Sequence, residues 1–263
     1  MTRPIITLTT DFGPSSPYVA AMKGVILSIN PDVNLVDITH SVPHQDTHQG
    51  ALVLADIADR FPRGTIHVAV VDPGVGTDRP LVYVEINQRS YVAPDNGLLD
   101  RLALMHRPST IVEIADPSYW MPQVSATFHG RDILSPVAAR LSLGLDPAKL
   151  GRPRSELVRL VWPEVQVSAR KIEGRVESID SFGNLVTDIT QDMLRDVPRG
   201  QEQVTIECDE HETCGIFSTY GDQPAMTLMA LVGSGGKLEL ALVGDSAAAM
   251  LGVRVGTPVR VIW

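Results

Sequence analysis

Over the first 143 residues, short runs of aliphatic and β-branched residues alternate with stretches whose apolar positions recur every three or four residues. The first pattern suits a strand buried in a sheet, the second a helix that buries one stripe. Residues 5–9 form the first run and stop at Asp11-Phe12-Gly13-Pro14, an acid followed by turn residues. Ser16-Pro17 supplies an N-cap and a first-turn proline, and Val19, Met22, Ile26 and Ile29 then share a face, so the spacing predicts a helix over 17–29 that Pro31 ends. Residues 34–38 read as a second strand, and Ala51, Leu54, Ala55, Ala58 and Phe61 give 49–61 a helical period. Pro62-Arg63-Gly64 turns the chain into a third run over 65–71. Strand and helix in strict alternation predict a parallel sheet with crossover helices.

Residues 81–86 and 90–93 flank Asn87-Gln88-Arg89 as a short hairpin, followed by a helix over 98–105, a strand over 111–115 and a last helix over 128–143, with Pro136 near its start or at a kink. At Gly151 the texture changes. Through Ser168 the chain is rich in Pro, Arg, Trp and Glu without a sustained period, and beyond it every patterned segment is strand-like: 171–179, 184–189, 203–207, 226–232, 237–243 and 258–263. The expectation is an N-terminal α/β domain with a central, mostly parallel sheet over 1–150, a linker over 151–170, and a smaller C-terminal antiparallel β-barrel-like domain over 171–263.

The third run leads into Val71-Asp72-Pro73-Gly74-Val75-Gly76-Thr77-Asp78-Arg79-Pro80, the stretch around which the first domain is organised. Ligands of open α/β sheets collect beyond the carboxyl ends of the strands, where this loop falls. Its glycines let backbone approach a ligand, and Arg79 offers a fixed charge seven residues from the Asp72 carboxylate. A solvated surface ion pair is the alternative for these two residues.

Composition narrows the partners. The net charge is −9, with no Lys/Arg cluster, which argues against nucleic acid and anionic membranes and for a small molecule. The start runs directly into a strand instead of an apolar signal core, and no apolar run has the length of a membrane span, so a cytoplasmic protein is expected. Cys208 and Cys214 are read as free thiols. His40, His44 and His48, spaced by four with Asp46 among them, suggest a metal face, but Pro43 inside the run argues against the helix that would build it. His211-Glu212 lacks the second histidine of a zinc-protease helix and reads as surface, and Gly74 and Gly76 form no dinucleotide fingerprint. Asp180-Ser181-Phe182-Gly183-Asn184, at the head of the second domain, combines groups that hold an ammonium, stack on a purine and pair with its edge; an Asx turn between two strands is the plainer reading.

Seven segments in order carry a resemblance: Thr9-Thr10-Asp11-Phe12-Gly13, Met22-Lys23-Gly24, Asp37-Ile38-Thr39-His40, Val71-Asp72-Pro73-Gly74-Val75-Gly76-Thr77, Ala93-Pro94-Asp95-Asn96-Gly97, Phe128-His129-Gly130-Arg131-Asp132 and Asp180-Ser181-Phe182-Gly183-Asn184. Together they resemble the S-adenosyl-L-methionine hydroxide adenosyltransferase family, related to the fluorinase and chlorinase enzymes. The resemblance implies a homotrimer whose sites lie between the first domain of one subunit and the second of its neighbour. It implies attack of water or hydroxide on ribose C5′ of S-adenosyl-L-methionine, giving adenosine and methionine, with no metal and no cofactor. The family's triad falls on Asp72, Arg79 and His129, its ribose-binding acid on Asp11, and its methionine and adenine contacts on Asp180, Phe182 and Asn184. Tyr18, Gln45, Tyr220, Ser234, Glu239, Val243 and Gly244 are implied to line the same pocket.

Where the halogenating relatives resemble Tyr-Pro-Ala-Thr-Gly, this chain has Asp72-Pro73-Gly74-Val75-Gly76, and Gly130 replaces a serine donor after the aromatic pair, so the polar halide contacts are missing. A halide-using transferase, a non-catalytic adenosine or S-adenosyl-L-methionine sensor and a metal-dependent hydrolase are the alternatives. They are told apart by a 5′-halo product, by binding without turnover, and by chelator sensitivity. Taken alone, His129 at a helix start also reads as a capping or core histidine.

Overall fold

The computed structural model describes residues 3–198 and 203–263. It divides into two compact units, Met1–Val161 and Trp162–Trp263.

The first unit runs β1 (Ile5–Thr10), α1 (Pro17–Ile29), β2 (Asn34–Thr39), α2 (Thr47–Ile57), β3 (Ile66–Val70), β4 (Leu81–Ile86), β5 (Arg89–Pro94), α3 (Asp100–Met105), β6 (Thr110–Glu113) and α4 (Ser135–Ser142). The sheet order is β2-β1-β3-β5-β4-β6. The first four strands in that order pair in parallel, while β4 pairs antiparallel with both β5 and β6, so only β4 runs against the rest. Period-two patterning decides which face each residue joins. Ile6, Leu8, Val68 and Val70 pack with Met22, Ile26 and Val137 on one face, and Ala69, Val71, Val82, Val84 and Ile86 pack with Leu54, Leu98 and Leu102 on the other. Helices therefore cover both faces.

The chain leaves β1 for β2 on one side and returns across β1 to β3 on the other. That reversal makes the β1/β3 boundary a switch point, where the strand ends part and leave a crevice. Thr10 pairs with Val70 at the last rung, so Asp11 and the Val71-Asp72 loop emerge side by side.

Local chemistry shifts several helix limits. Asp46 caps α2 by accepting from Gln49 N at 3.0 Å, so this helix begins before residue 49, and its last turn, Ala58–Arg60, tightens to 3₁₀. The expected helix over 98–105 begins at Asp100, because the Asn96 carboxamide takes Leu98 N at 3.2 Å as a turn. The continuous helix expected over 128–143 is instead a π-turn, Gly130–Leu134, leading into α4. Pro136 has no N–H for the Asp132 carbonyl, and its ring crowds that carbonyl, which accepts from Met121 N at 2.8 Å instead. The buried Ser135 hydroxyl donates to Gly130 O at 2.7 Å and reinforces the widened turn.

The second unit runs β7 (Gln166–Ser168), β8 (Lys171–Ile179), β9 (Leu185–Thr190), β10 (Thr205–Cys208), β11 (His211–Cys214), β12 (Ile216–Phe217), β13 (Leu228–Val232), β14 (Lys237–Leu242), α5 (Ala247–Leu251) and β15 (Pro258–Ile262). Strand order is β11-β10-β15-β8-β9-β14-β13-β12, with β7 beside β8. Pairing is antiparallel except for β12 with β13. At the far ends of this path the Thr213 hydroxyl on β11 donates to Leu228 O on β13 at 2.8 Å, so the sheet curls into a nearly closed barrel around Ile172, Leu185, Ile206, Leu240 and Val259. Strands β7, β11 and β12 are too short for their periodicity to stand out in the sequence.

Candidate active site

At the β1/β3 switch point the first unit holds a cavity of about 370 Å³, lined among others by Asp11, Tyr18, Gln45, Asp72, Val75 and His129. Asp72 lies two residues beyond β3. The Arg79 Nε donates to Asp72 Oδ1 at 2.6 Å, and Nη2 donates to Asp72 Oδ2, a bidentate pair in which both side chains are at most 10% exposed. This excludes the solvated surface pair. The Asp72 loop is also held from behind, because the Asn96 amide donates to Val71 O at 2.8 Å.

His129 comes from a third segment, in helical backbone just before the π-turn, and caps nothing with its side chain. Arg79 Nη2 lies 3.1 Å from His129 Nδ1. A guanidinium only donates, so Nδ1 accepts and the ring's proton sits on Nε2. Burial, and then the Arg79 charge, push the His129 pKa below the usual imidazole value, against the opposing pull of Asp72 and Asp132. The imidazole is thus a neutral, oriented group. Gly76 ties these parts together: at φ +80°, a Cβ on it would stand 2.5 Å from Ala126 O, so the Asp72–Arg79 loop lies against the segment leading to His129.

Asp11 is buried at the cavity edge and accepts from Gln45 N at 2.8 Å, with Gln45 itself at φ +61°. Tyr18, 55% exposed, stands edge-on to Phe12 and Phe128 at 5.8 and 5.1 Å between ring centroids, and the three rings form an apolar wall. Phe12, Phe128 and His44 line the cavity without having been assigned from sequence; the first two sit inside motifs whose polar neighbours drew attention. His44 and His48 are exposed, and His40 is tied to Thr10 and Asp37. Among the described residues no three His, Cys, Asp or Glu side chains form a group that could hold a metal ion.

The second unit carries its own cavity, about 920 Å³, lined among others by Asp180, Phe182, Asn184, Tyr220, Ser234, Glu239, Val243 and Gly244, residues that the resemblance put in one pocket with Tyr18 and Gln45. Asp180 Oδ1 accepts from Phe182 N and Asn184 N, both at 2.9 Å, and Oδ2 accepts from the Asn184 amide at 2.9 Å. The Asx-turn reading is therefore correct, and the turn presents the Phe182 ring at 78% exposure. Glu239 accepts from the Tyr220 hydroxyl at 3.0 Å and is pressed against Gly233, where a Cβ would overlap its carboxylate. Burial raises the Glu239 pKa, and the Asp180 charge adds to the rise against the Tyr220 hydrogen bond. Burial, and then Glu239, push the Tyr220 hydroxyl up to about 12. Two carboxylates with one aromatic face suit an ammonium beside a flat ring. Ser218, Thr219, Asp245 and Ser246 also line this cavity, on turns that carry no periodic signal. Cys208 is buried, Cys214 is exposed, and neither is disulfide-bonded; His211, expected at the surface, is half-buried with Nε2 3.3 Å from Leu251 O.

A half-open pocket at the strand ends, with an aromatic wall and a charge-paired neutral imidazole, defines an α/β enzyme acting on a small organic molecule. Comparison with known proteins makes this particular. Residues 6–151 match the SAM hydroxide adenosyltransferase N-terminal domain and residues 174–260 match the corresponding C-terminal domain, so the chain belongs to the SAM hydroxide adenosyltransferase family. It is 38% identical to an (R)-S-adenosyl-L-methionine hydrolase of Salinispora arenicola, over 98% of this chain and 97% of that one. It is 37% identical to a protein of the same name from Thermus thermophilus, over 99% and 100%. A fluorinase of Actinopolyspora mzabensis is 32% identical over 73% of each chain. The crystal structure of an uncharacterized conserved protein from Thermotoga maritima superposes with a TM-score of 0.93 at 32% identity, covering 98% of this chain and 100% of that one.

Proposed function

We propose that Asp72, Arg79 and His129 hold and aim the water that this enzyme uses to cleave its substrate, and that Asp11 binds the ribose. The protein hydrolyses S-adenosyl-L-methionine to adenosine and L-methionine, as its family membership and its full-length likeness to hydrolases of that name state. The observation that carries the residue-level reading is the convergence of an acid, a guanidinium and a neutral imidazole from separate segments beside the Asp11 cavity.

The chemistry asks little of a proton donor. A water oxygen bonds to C5′, the C5′–S bond breaks, its electron pair goes to sulfur, and the sulfonium leaves as a neutral thioether. Generating free hydroxide at pH 7 costs about 12 kcal/mol from a water pKa of about 15.7, more than one ion pair offsets. The triad accordingly orients neutral water, and the proton passes to solvent water after the C–O bond has begun to form, when the oxygen has become strongly acidic. Aligning that water with the C5′–S axis lowers the barrier by pre-arranged entropy. Arg79 holds the Asp72 carboxylate and the His129 ring in place around the water, and Val75 lines the cavity with an apolar side chain instead of a halide-holding hydroxyl.

Asp180 and Glu239 are proposed to take the substrate's ammonium, with Phe182 on the purine and Asn184 at its edge. Tyr18, Gln45, Tyr220, Ser234, Val243 and Gly244 are proposed as lining. Neither unit's cavity alone offers both the water-aiming set and the ammonium and purine set, which supports the proposal of a homotrimer in which neighbouring subunits complete each site. The relatives' names support the (R) epimer at sulfur as the substrate, and a cytoplasmic location is proposed from the free thiols. The test is to follow adenosine release by Asp72→Asn and His129→Ala, with adenosine affinity measured separately. Loss of turnover with retained affinity supports the triad; undiminished turnover in both variants removes it from the mechanism.

A further inference from the structure

His40 stands out in the sequence as part of a histidine trio, and Lys23 and Asp37 as parts of two segments that carry the family resemblance, yet none of them lines the cavity described above. The fold gathers them. Lys23 on α1 donates to Asp37 Oδ2 on β2 at 2.6 Å, Asp37 Oδ1 lies 3.1 Å from His40 Nε2, and His40 Nδ1 lies 2.9 Å from the Thr10 hydroxyl at the end of β1. The Thr10 oxygen in turn accepts from Phe12 N at 3.3 Å.

Donor logic fixes a direction along this row. Because Nδ1 has only the Thr10 hydroxyl to meet and Nε2 faces a carboxylate, the ring carries its proton on Nε2 and Thr10 donates to Nδ1. Thr10 is then left to accept from Phe12 N, and Lys23 balances the Asp37 charge. The Nε2 to Asp37 contact is an ion-pair distance off the line of a good hydrogen bond, so it orients the ring more than it binds it. The order hydroxyl, imidazole, carboxylate is that of a nucleophilic triad. Thr10 is fully buried and its oxygen is already engaged by Phe12 N, so no acyl or phosphoryl donor reaches it.

What the row does touch is the backbone on both sides of Asp11. Thr10 and Phe12 are its chain neighbours, Gly13 N donates to His40 O at 2.8 Å, and Val42 N donates to Thr10 O at 3.4 Å. The same 40–45 segment delivers Gln45 N to the Asp11 carboxylate at 2.8 Å from a left-handed backbone that costs a non-glycine residue free energy. We infer that Lys23, Asp37, His40 and Thr10 form a positioning relay that fixes the Asp11 carboxylate for the ribose hydroxyls of the substrate. The inference rests on the reading of Asp11 as the ribose-binding acid. It makes these four residues positioning groups, none of which contacts the nucleoside.

The test compares the affinities of adenosine and 2′,3′-dideoxyadenosine for the full-length protein by calorimetry. The wild type is expected to prefer adenosine by at least about tenfold, the size of a hydrogen bond to a charged group. Thr10→Val, which keeps shape and removes the hydroxyl, should bind dideoxyadenosine as the wild type does while its preference for adenosine falls below about threefold, and Thr10→Ser should restore it. Asp37→Ala, a change at a half-exposed side chain, should lower the preference in the same direction, and it carries the test if circular dichroism shows Thr10→Val unfolded. Wild-type preference in a folded Thr10→Val, or in Asp37→Ala, overturns the relay. No preference in the wild type itself overturns the assignment of Asp11 to the ribose, and the relay with it.

Discussion

At the scale of single residues, the proposal gives the reaction to three side chains: the Asp72–Arg79 ion pair, at most 10% exposed, and the half-buried neutral ring of His129. Replacing Asp72 by Asn keeps its shape but removes the charge that Arg79 pairs with, and kcat should fall by about 10²- to 10³-fold. Adenosine affinity should stay within about threefold of wild type, a split that steady-state kinetics with calorimetry resolves. His129 predicts a sign in pH. Its pKa is lowered by burial and then by Arg79, so the neutral ring persists as pH falls below the ordinary imidazole value near 6.5, and the acid limb of kcat/KM should lie below that value. His129→Ala should remove this limb. The residue types and their order were legible in the sequence, and so was the seven-residue step from Asp72 to Arg79. Their burial was not, because a surface pair and a bidentate buried pair have the same spacing; only the packing of Gly76 against Ala126 distinguishes them.

At the scale of elements, the site depends on three joints: the ends of β1 and β3, the Asp72–Arg79 loop, and the π-turn before α4. Gly76→Ala places a methyl group against Ala126 O at a positive φ, and should lower stability by about 1–3 kcal/mol and kcat with it, measured by urea unfolding and turnover. His67 on β3 carries a separate expectation. It is fully buried, bonded to Thr7 at 2.8 Å and stacked on Tyr91 at 4.8 Å, and burial, with Arg89 nearby, pushes its pKa down to about 4. The unfolded chain binds this proton near pH 6.5, so below that value it holds more protons than the folded one. Its contribution to stability is therefore full above pH 6.5 and lost as pH falls toward 4, by up to about 3 kcal/mol. Urea midpoints at pH 7 and 4.5 should differ more in the wild type than in His67→Phe. Strand and helix order was readable from periodicity, since aliphatic runs and three-to-four spacing seldom conflict in this chain. The π-turn was not, because its cause is a carbonyl that Pro136 cannot satisfy and a distant Met121 N–H can, a contact between segments that no local pattern announces.

At the scale of the whole molecule, each of the two units carries one cavity, and the proposal gives the sugar and reacting carbon to the first and the ammonium and purine to the second. The change of texture after residue 150 announced two kinds of structure, and the second unit's longer strands were legible, whereas β7, β11 and β12 are too short to carry a period of two. The proposed homotrimer predicts a solution mass near three times the 28.5 kDa chain by light scattering. A monomer with full activity would remove the shared site. With chloride in excess the same protein should release adenosine and no 5′-chloro-5′-deoxyadenosine, because Val75 offers a halide no hydrogen bond. Hydrolysis requires that the atom joined to C5′ come from water, and turnover in ¹⁸O-water with mass analysis of both products measures this. One ¹⁸O is expected in the 5′-hydroxyl of adenosine and none in methionine; unlabelled adenosine, or label carried by the amino-acid product, rules out attack of water at C5′.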